Sequence, residues 1–196
     1  MPAPRLPDWL ADPPADGFTA EDLDRIPDLP PHTELIDGSL VFVSDQSFLH
    51  MTVIDQLALE LRRQAPAEFI VFREMTTTLA RRQRPEPDVS VAVKSALRSR
   101  FQTDVPFEDV LLAVEVVSRE SEIRDRERKP QLYAAAGIPS FWRVEDEDGQ
   151  VVVYVHELGP DQIYRLAGIH RGRIEVERPF PAVVDFTDVA EMFKED

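Results

Sequence analysis

A single glutamate, Glu115, interrupts a run of apolar residues that extends from Leu111 to Val117. A run that is apolar on both of its alternating faces predicts a strand buried on both sides, in the middle of a sheet. An ionised carboxylate buried there costs several kcal/mol unless an arginine, a group of backbone donors or a metal ion compensates it. Glu115 is therefore the first candidate functional residue, with a structural ion pair to arginine as the alternative.

A second carboxylate, Asp88, follows Pro87 where the alternating sequence from Val89 to Val93 predicts a strand. Taken alone, Asp88 is equally well explained as a turn residue, because Pro-Asp is common in turns. Two carboxylates on neighbouring strand ends are oxygen ligands of the kind that Mg²⁺ or Mn²⁺ prefers. We therefore expect Asp88 and Glu115 to lie on adjacent strands and to share one ion.

The elements around these two residues predict an α/β fold. Hairpins are indicated at Asp37-Gly38 and across residues 146–149, and one strand is predicted over residues 69–79. A helix is predicted over about residues 46–64, before the two carboxylates, and a second over about 122–136, after them. The second helix contains a proline, which predicts a kink or a start close to Arg128. Weak alternation in the tail predicts one or two further edge strands.

Residues 1–32 contain 8 of the 17 prolines. This composition predicts an extended arm with one short helix near residues 20–25, capped by Thr19. Residues 33–196 are then expected to form a single domain, which is long enough to bury a core of its own.

The formal net charge of −15 excludes a protein that coats nucleic acid non-specifically. A phosphate substrate is still compatible with this charge if a divalent ion offsets it locally. The absence of cysteine excludes disulfides and thiolate metal ligands. The sequence has no apolar run of about 18 residues, so no membrane span is predicted. The first 14 residues do not resemble a secretory signal. We therefore expect a cytoplasmic protein without a membrane partner.

The order of these residues resembles that of the PD-(D/E)XK nuclease superfamily, in which Pro-Asp at a strand start precedes a strand with Glu and then Lys. Pro87-Asp88 and Glu115 match, but residue 117 is Val where the superfamily has Lys. Roughly residues 34–158 are similar to one branch, the Uma-two family of restriction-endonuclease-like proteins. The resemblance rests on Glu34-Leu35-Ile36-Asp37-Gly38, His50, Pro87-Asp88-Val89, Val114-Glu115-Val116-Val117-Ser118, Asp125 with Lys129 and Tyr133, and Ala136-Gly137-Ile138-Pro139-Ser140-Phe141-Trp142.

The resemblance implies a restriction-endonuclease-like core, a mixed β-sheet flanked by helices, to which the N-terminal arm and a C-terminal β extension are added. It also implies Mg²⁺- or Mn²⁺-dependent hydrolysis of phosphodiester bonds, with nucleic acid as substrate and Asp88 and Glu115 as metal ligands. In this family the missing strand lysine is replaced by one from the following helix, here Lys129. Lys129 completes the expected catalytic set, in which it positions the attacking water or stabilises charge on the phosphate.

Five further residues are accessory candidates, and most have a structural alternative. Glu34 matches the first acidic position of the family or is a surface residue beside a hairpin. His50 is a site residue or a core histidine on the apolar face of its helix. Asp125 belongs to the site or forms a helical ion pair with the lysine four residues later. Ser118 and Tyr133 are expected to shape the pocket.

Two other classes of function remain open. A nuclease fold that binds nucleic acid or protein without catalysis is favoured by Val117 and by the net charge. A metal-dependent enzyme that acts on a smaller phosphate ester is the other class. Metal titration separates the first class from a nuclease, and comparing polymers with small nucleotides separates the second. Because cleavage of both strands of a duplex favours two-fold symmetry, we also expect a homodimer.

Overall fold

The computed structural model describes residues 7–192, and its centre is a mixed six-stranded sheet. The strands of the protein are β1 (Glu34–Ile36), β2 (Ser39–Val41), β3 (Phe69–Arg73), β4 (Thr76–Thr78), β5 (Val89–Val93), β6 (Asp104–Pro106), β7 (Val110–Val116), β8 (Ser140–Glu147), β9 (Gln150–Leu158), β10 (Tyr164–Arg171), β11 (Arg173–Val176) and β12 (Ala182–Asp185). The helices are α1 (Asp8–Ala11), α2 (Ala20–Leu23), α3 (Phe48–Gln64), α4 (Lys129–Ala136) and α5 (Thr187–Met192), with a π-helical turn at Arg124–Arg128 and short 3-10 turns at Lys94–Ala96 and Phe107–Asp109.

The central sheet has the strand order β10-β9-β8-β7-β5-β3. β7 and β8 are parallel and are joined through α4, whereas all the other neighbours are antiparallel. Along β7, Leu112 and Val114 pack in the cluster with α3, and Ala113 packs in the cluster with α4. The alternation of a strand therefore turns Glu115 toward α4. This arrangement confirms the predicted mixed α/β sheet and the central position of the strand with Glu115.

Helix α3 covers one face of the sheet. Its buried residues are spaced three or four apart, so they form one apolar stripe: Val53, Ile54, Leu57, Ala58 and Leu61. Ser47 caps the helix, because its hydroxyl accepts a hydrogen bond from the backbone N–H of His50 at 3.2 Å. The predicted helix is thereby confirmed, and its first turn stands over the ends of β5 and β7.

The single strand predicted over residues 69–79 is wrong, because Glu74 divides it. Glu74 has a left-handed backbone with φ of 48°, which an extended strand cannot contain. Its N–H bonds to the carbonyl of Asp88 at 3.0 Å. After this turn the chain leaves the central sheet, and β4 pairs in parallel with β6. The side chain of Glu74 consequently lies at the same end of the sheet as Asp88.

The crossover helix is interrupted close to its proline, as predicted. Pro130 has no N–H with which to continue the α-helical hydrogen bonds, and the residues immediately before α4 form the π-helical turn instead. Gly137, with φ of 82°, ends the helix in the left-handed conformation that favours glycine. The buried face of α4 includes Lys129, Leu132 and Tyr133.

The second half of the predicted arm packs against the β1–β2 hairpin. Phe18 and Ala20 form a small buried cluster with Leu35. The hairpin turn at Asp37-Gly38 has positive φ at both residues, 55° and 80°, as an Asp-Gly sequence predicts. Two ladder bonds between Leu35 and the residue Arg84 then fasten the hairpin to the rest of the protein.

The C-terminal part forms the predicted β extension. β10 lies at the edge of the central sheet, and β11 pairs with β12 as a separate antiparallel ribbon. The side chain of Gln64 donates to the carbonyl of Val183 and accepts from its N–H, which fixes β12 against the end of α3. None of the helices within residues 7–192 is both long and apolar enough to cross a membrane.

Arg84 joins the N-terminal segment to the body of the protein. Its buried guanidinium donates to the Asp24 carboxylate at 2.8 Å, to the carbonyl of Ala20 at 3.1 Å and to the Thr76 hydroxyl at 3.0 Å. The substitution Arg84→Met keeps most of the side-chain volume and removes these bonds, so we expect it to lower the free energy of unfolding by about 2 kcal/mol. Arg81→Met, on the same loop but exposed, should change it by less than about 0.5 kcal/mol. Urea denaturation of both variants measures the difference, and equal stabilities would show that Arg84 does not hold the two parts together.

Candidate active site

Glu115 is almost completely buried, with 1% of its surface exposed. One carboxylate oxygen accepts a hydrogen bond from the Lys129 ammonium at 2.9 Å, and the other accepts from the hydroxyl of Tyr133. Both donors belong to α4, which packs on the face of β7 toward which Glu115 points. Burial raises the pKa of Glu115 well above its usual value, although the neighbouring ammonium opposes this shift.

Lys129 lies at the centre of three carboxylates. Its Nζ is 2.9 Å from Glu34 Oε1, 2.9 Å from Glu115 Oε2 and 3.2 Å from Asp125 Oδ1, and we call these three residues the carboxylate cluster. Burial alone would lower the pKa of Lys129, but the attraction of the cluster outweighs it and raises the pKa well above its usual value. The lysine is therefore charged throughout the neutral range, and the three carboxylates share one positive charge.

The helix geometry explains how this lysine reaches the strand. Asp125, Lys129 and Tyr133 are four residues apart, so they lie on one face of the helical segment, and that face packs against β7. The π-helical turn between Asp125 and Lys129 adjusts the direction of this face just before α4. π-turns of this kind often occur at functional sites.

Glu34 enters the cluster from a different part of the chain. It begins β1, is 2% exposed and accepts a hydrogen bond at 2.8 Å from the backbone N–H of Glu86. This places the start of the hairpin beside the segment that leads into Asp88. The expected Glu34 is thus brought to the centre of the site and is not a surface residue.

Asp88 lies on the strand next to Glu115. Because β5 and β7 are antiparallel with Val89 opposite Val114, Asp88 reaches the end of β7 that carries Glu115. One Asp88 oxygen accepts the backbone N–H of Val116 at 2.6 Å, and the other is 3.3 Å from Nε2 of His50. The expected adjacency of the two strands is therefore present, while the sharing of one ion stays a prediction.

The remaining expected residues surround this pair. His50, on the first turn of α3, is held by Asp88; burial alone would lower its pKa, but the hydrogen bond to Asp88 together with the negative charges of Asp88, Asp125 and Glu74 outweighs burial and raises it. The Ser118 hydroxyl bonds to that of Ser121 at 2.9 Å, where the chain turns from β7 toward the crossover helix. Asp125 is itself a member of the carboxylate cluster, and Tyr133 donates a hydrogen bond to Glu115, so both do more than shape the pocket.

Four residues of the site were missed by the sequence analysis: His32, Glu74, Glu86 and Arg124. They line the same small cavity of about 50 Å³ as Asp88, Glu115 and Lys129. His32 bonds to Glu86, and burial raises the pKa of Glu86. The available signal for Glu86 was its position between two prolines directly before Asp88. Glu74 gave no such signal, because its residue type does not reveal the left-handed turn.

The small cavity is strongly acidic. Six carboxylates line it, against the cations Lys129 and Arg124. A concentration of hard oxygen donors with excess negative charge fits a divalent ion such as Mg²⁺ or Mn²⁺. Within residues 7–192, no three His, Asp or Glu side chains converge into a cage that could hold a metal by protein ligands alone. Mg²⁺ needs no such cage, because it is usually bound through one or two carboxylates and keeps several waters.

A protein-family model named Uma2, with the description "Putative restriction endonuclease", matches residues 20–189. The chain belongs to the Uma2 family. This confirms the family predicted from the sequence, and the match extends beyond residues 34–158 at both ends. The carboxylate cluster and Asp88 all lie inside the matched region of this Uma2 protein.

A solved structure also resembles this Uma2 protein. It comes from Anabaena variabilis ATCC 29413 and is described as "a putative nuclease belonging to DUF820". The two structures superpose with a TM-score of 0.60 over 91% of this chain and 94% of the other, at 14% sequence identity. At that identity the likeness shows the fold alone, which is the predicted α/β nuclease fold. No curated protein matches the sequence.

The carboxylate cluster makes a direct prediction about stability. Lys129→Met leaves three buried carboxylates without a cation, so at pH 8 we expect the free energy of unfolding to fall by at least about 3 kcal/mol. In this variant the pKa values of Glu115 and Asp125, which burial already raises, rise further, so the folded state binds protons that the unfolded state has already released. Stability then falls as pH rises, and the difference from the unsubstituted protein is smaller at pH 5 than at pH 8.

Urea denaturation at the two pH values measures this difference. Lys94→Met, at an exposed lysine, is the matched control and should leave stability unchanged at both. A Lys129→Met variant with the same loss at pH 5 and pH 8 would contradict the account of the cluster.

Proposed function

We propose that this protein is a metal-dependent nuclease that hydrolyses phosphodiester bonds of nucleic acid. The observation that carries the proposal is the buried pair of Glu115 and Lys129, directly beside Asp88 on the neighbouring strand. Buried ionisable groups whose pKa values are strongly shifted cluster at functional sites, and here they line a cavity together. Membership of a family described as restriction endonucleases supports the same class of reaction.

Asp88 and Glu115 are the residues that would hold Mg²⁺ or Mn²⁺. When bound, such an ion supplies Lewis-acid catalysis by withdrawing negative charge from the scissile phosphate. The hydrogen bond from the Val116 N–H fixes one Asp88 oxygen, and Tyr133 fixes Glu115, so both carboxylates are held in place before any ligand arrives. Fixed ligands of this kind lower the cost of assembling the site.

Lys129 supplies the cation that remains part of the protein. The transition state of phosphate hydrolysis carries additional negative charge, and a preorganised ammonium beside it stabilises that charge. Glu34 and Asp125 keep the ammonium charged and direct it toward Glu115, so they act through Lys129 and are positioning residues. His50 has the same relation to Asp88.

A binding module without catalysis remains the second candidate. It is favoured by one observation, that all three carboxylates of the cluster engage the ammonium of Lys129 and so restrain it. In that case the cluster would serve the stability of the fold, and the surface above it would bind nucleic acid or protein. The two candidates differ in whether a divalent ion binds at Asp88 and whether nucleic acid is cleaved.

The proposed nuclease is tested with end-labelled single- and double-stranded oligonucleotides incubated with Mg²⁺, Mn²⁺ or EDTA. We expect cleavage with either ion and none with EDTA. Asp88→Asn should lower the rate at least about a hundredfold, because it weakens one of two metal ligands. Asp188→Asn, at an exposed position in α5, is the control and should cleave at the unsubstituted rate. Absence of cleavage by the unsubstituted protein under every condition would favour the binding module.

A further inference from the structure

A second and larger cavity, of about 750 Å³, adjoins the candidate active site. Five residues line both cavities: Val43, Gln46, His50, Val116 and Ser118. Val116 forms part of the wall between them. Its backbone N–H donates to Asp88, and the residue also lines the large cavity. A ligand in the large cavity is thus placed with one end next to the proposed metal ligand. Its volume is within the range of pockets that hold a whole small ligand.

The inner wall of the large cavity is apolar. It is lined by three partly exposed residues, Val43, Leu49 and Val117, and by the core residues Val53, Val116, Val144 and Val151. Binding of a flat, weakly hydrated group against an apolar wall is favourable, because it removes apolar surface from water. Binding of a phosphate against the same wall brings no such gain. The part of a nucleic acid that suits this wall is a base.

The rim of the same cavity is acidic. Five carboxylates line it, Asp45, Glu120, Glu122, Glu145 and Asp146, against the guanidinium groups of Arg119 and Arg126. Arg126 is already paired with both Glu122 and Glu145. Glu120 is likewise paired with Arg124, and Glu145 also with Arg143, so the rim carboxylates already engage most of the nearby guanidinium groups. Duplex affinity depends on neutralising two phosphate chains with Lys and Arg, and this rim has few such groups left to do so. Base edges, by contrast, carry N–H donors that carboxylates accept.

We propose that the large cavity holds the unpaired base of a single-stranded nucleic acid while its adjacent phosphate lies at Asp88. The inference rests on the proposed nuclease function and narrows its substrate to single-stranded segments or ends. Enzymes that do chemistry on a base take that base out of the stack into a pocket, and this costs least when the strand is already single. The Val at position 117, which lines the large cavity, fits the same arrangement. A lysine there would place a charge on the apolar side, so the catalytic lysine comes from α4.

The test measures binding separately from cleavage. In an Asp88→Asn background with Mg²⁺, fluorescence anisotropy gives the affinity for a labelled 12-nucleotide single strand and for the 12-base-pair duplex of the same sequence. We expect the single strand to bind at least about tenfold more tightly. A preference in this assay is independent of whether the unsubstituted protein cleaves, so failure of the cavity proposal and failure of the nuclease proposal give different results.

A cavity-filling variant tests the location. Leu49→Trp introduces an indole on the apolar wall of the cavity, whereas Leu59→Trp places the same residue on an exposed face of the same helix. The first should weaken single-strand binding at least about tenfold and the second should leave it unchanged. Val117→Phe, directly after the end of β7, provides a second filling variant, and thermal melting verifies that each variant is folded. Equal or tighter binding of the duplex, no measurable binding of the single strand, or full binding by both filling variants would overturn the proposal.

Discussion

The ammonium of Lys129 among the buried carboxylates of Glu34, Glu115 and Asp125 is the interaction on which the site depends. A buried carboxylate in the centre of a sheet is unfavourable without a partner. Glu115 receives two partners from α4, the ammonium of Lys129 and the hydroxyl of Tyr133. Three carboxylates share this one ammonium, and burial raises the pKa of Glu115 and of Asp125, so the cluster offers more oxygen ligands than one ammonium uses. The surplus is a property that a purely structural ion pair does not need, and it is what a divalent ion requires.

The same constraint explains several irregular features of the fold. The hairpin must bring Glu34 across from the N-terminal side, and the ladder bonds between Leu35 and Arg84 hold it there. The π-helical turn before α4 allows the helix to present Asp125 and Lys129 inward despite the proline that follows. Glu74 turns the chain out of the sheet beside Asp88. Strain and irregularity therefore concentrate at one end of the sheet, where the proposed chemistry lies.

The sequence predicted those helices, strands and turns that produce a local periodic pattern of residue types. Three elements have such a pattern, and each pattern has a direct physical cause: the apolar stripe of α3, the apolar run of β7 that Glu115 interrupts, and the Asp-Gly turn of the hairpin. The turn at Glu74 was missed because a glutamate in the left-handed region has no residue-type signature. Its effect was to replace one predicted strand with β3 and β4.

Contacts between distant segments were the other gap. The hydrogen bond from the Glu86 N–H to Glu34 joins residues more than fifty positions apart, and no local sequence pattern predicts it. The same applies to the large cavity, whose walls come from several separate elements and include valines that also belong to the buried core. Asp88 was found from its place at a predicted strand start together with Glu115, whereas Lys129 was found through the resemblance to the family, because its position is not distinctive by itself.

Titration of the protein with Mn²⁺, followed by electron paramagnetic resonance, tests the central claim most directly. The account predicts one ion per chain, and it predicts that Lys129→Ala binds that ion more tightly, because removing the ammonium frees the oxygens of Glu115 and leaves the carboxylate cluster uncompensated. Lys94→Ala should bind as the unsubstituted protein does, and Asp88→Asn should lose affinity. Mn²⁺ affinity that is unchanged or weaker in folded Lys129→Ala would contradict the claim that the surplus charge of this cluster creates the metal site.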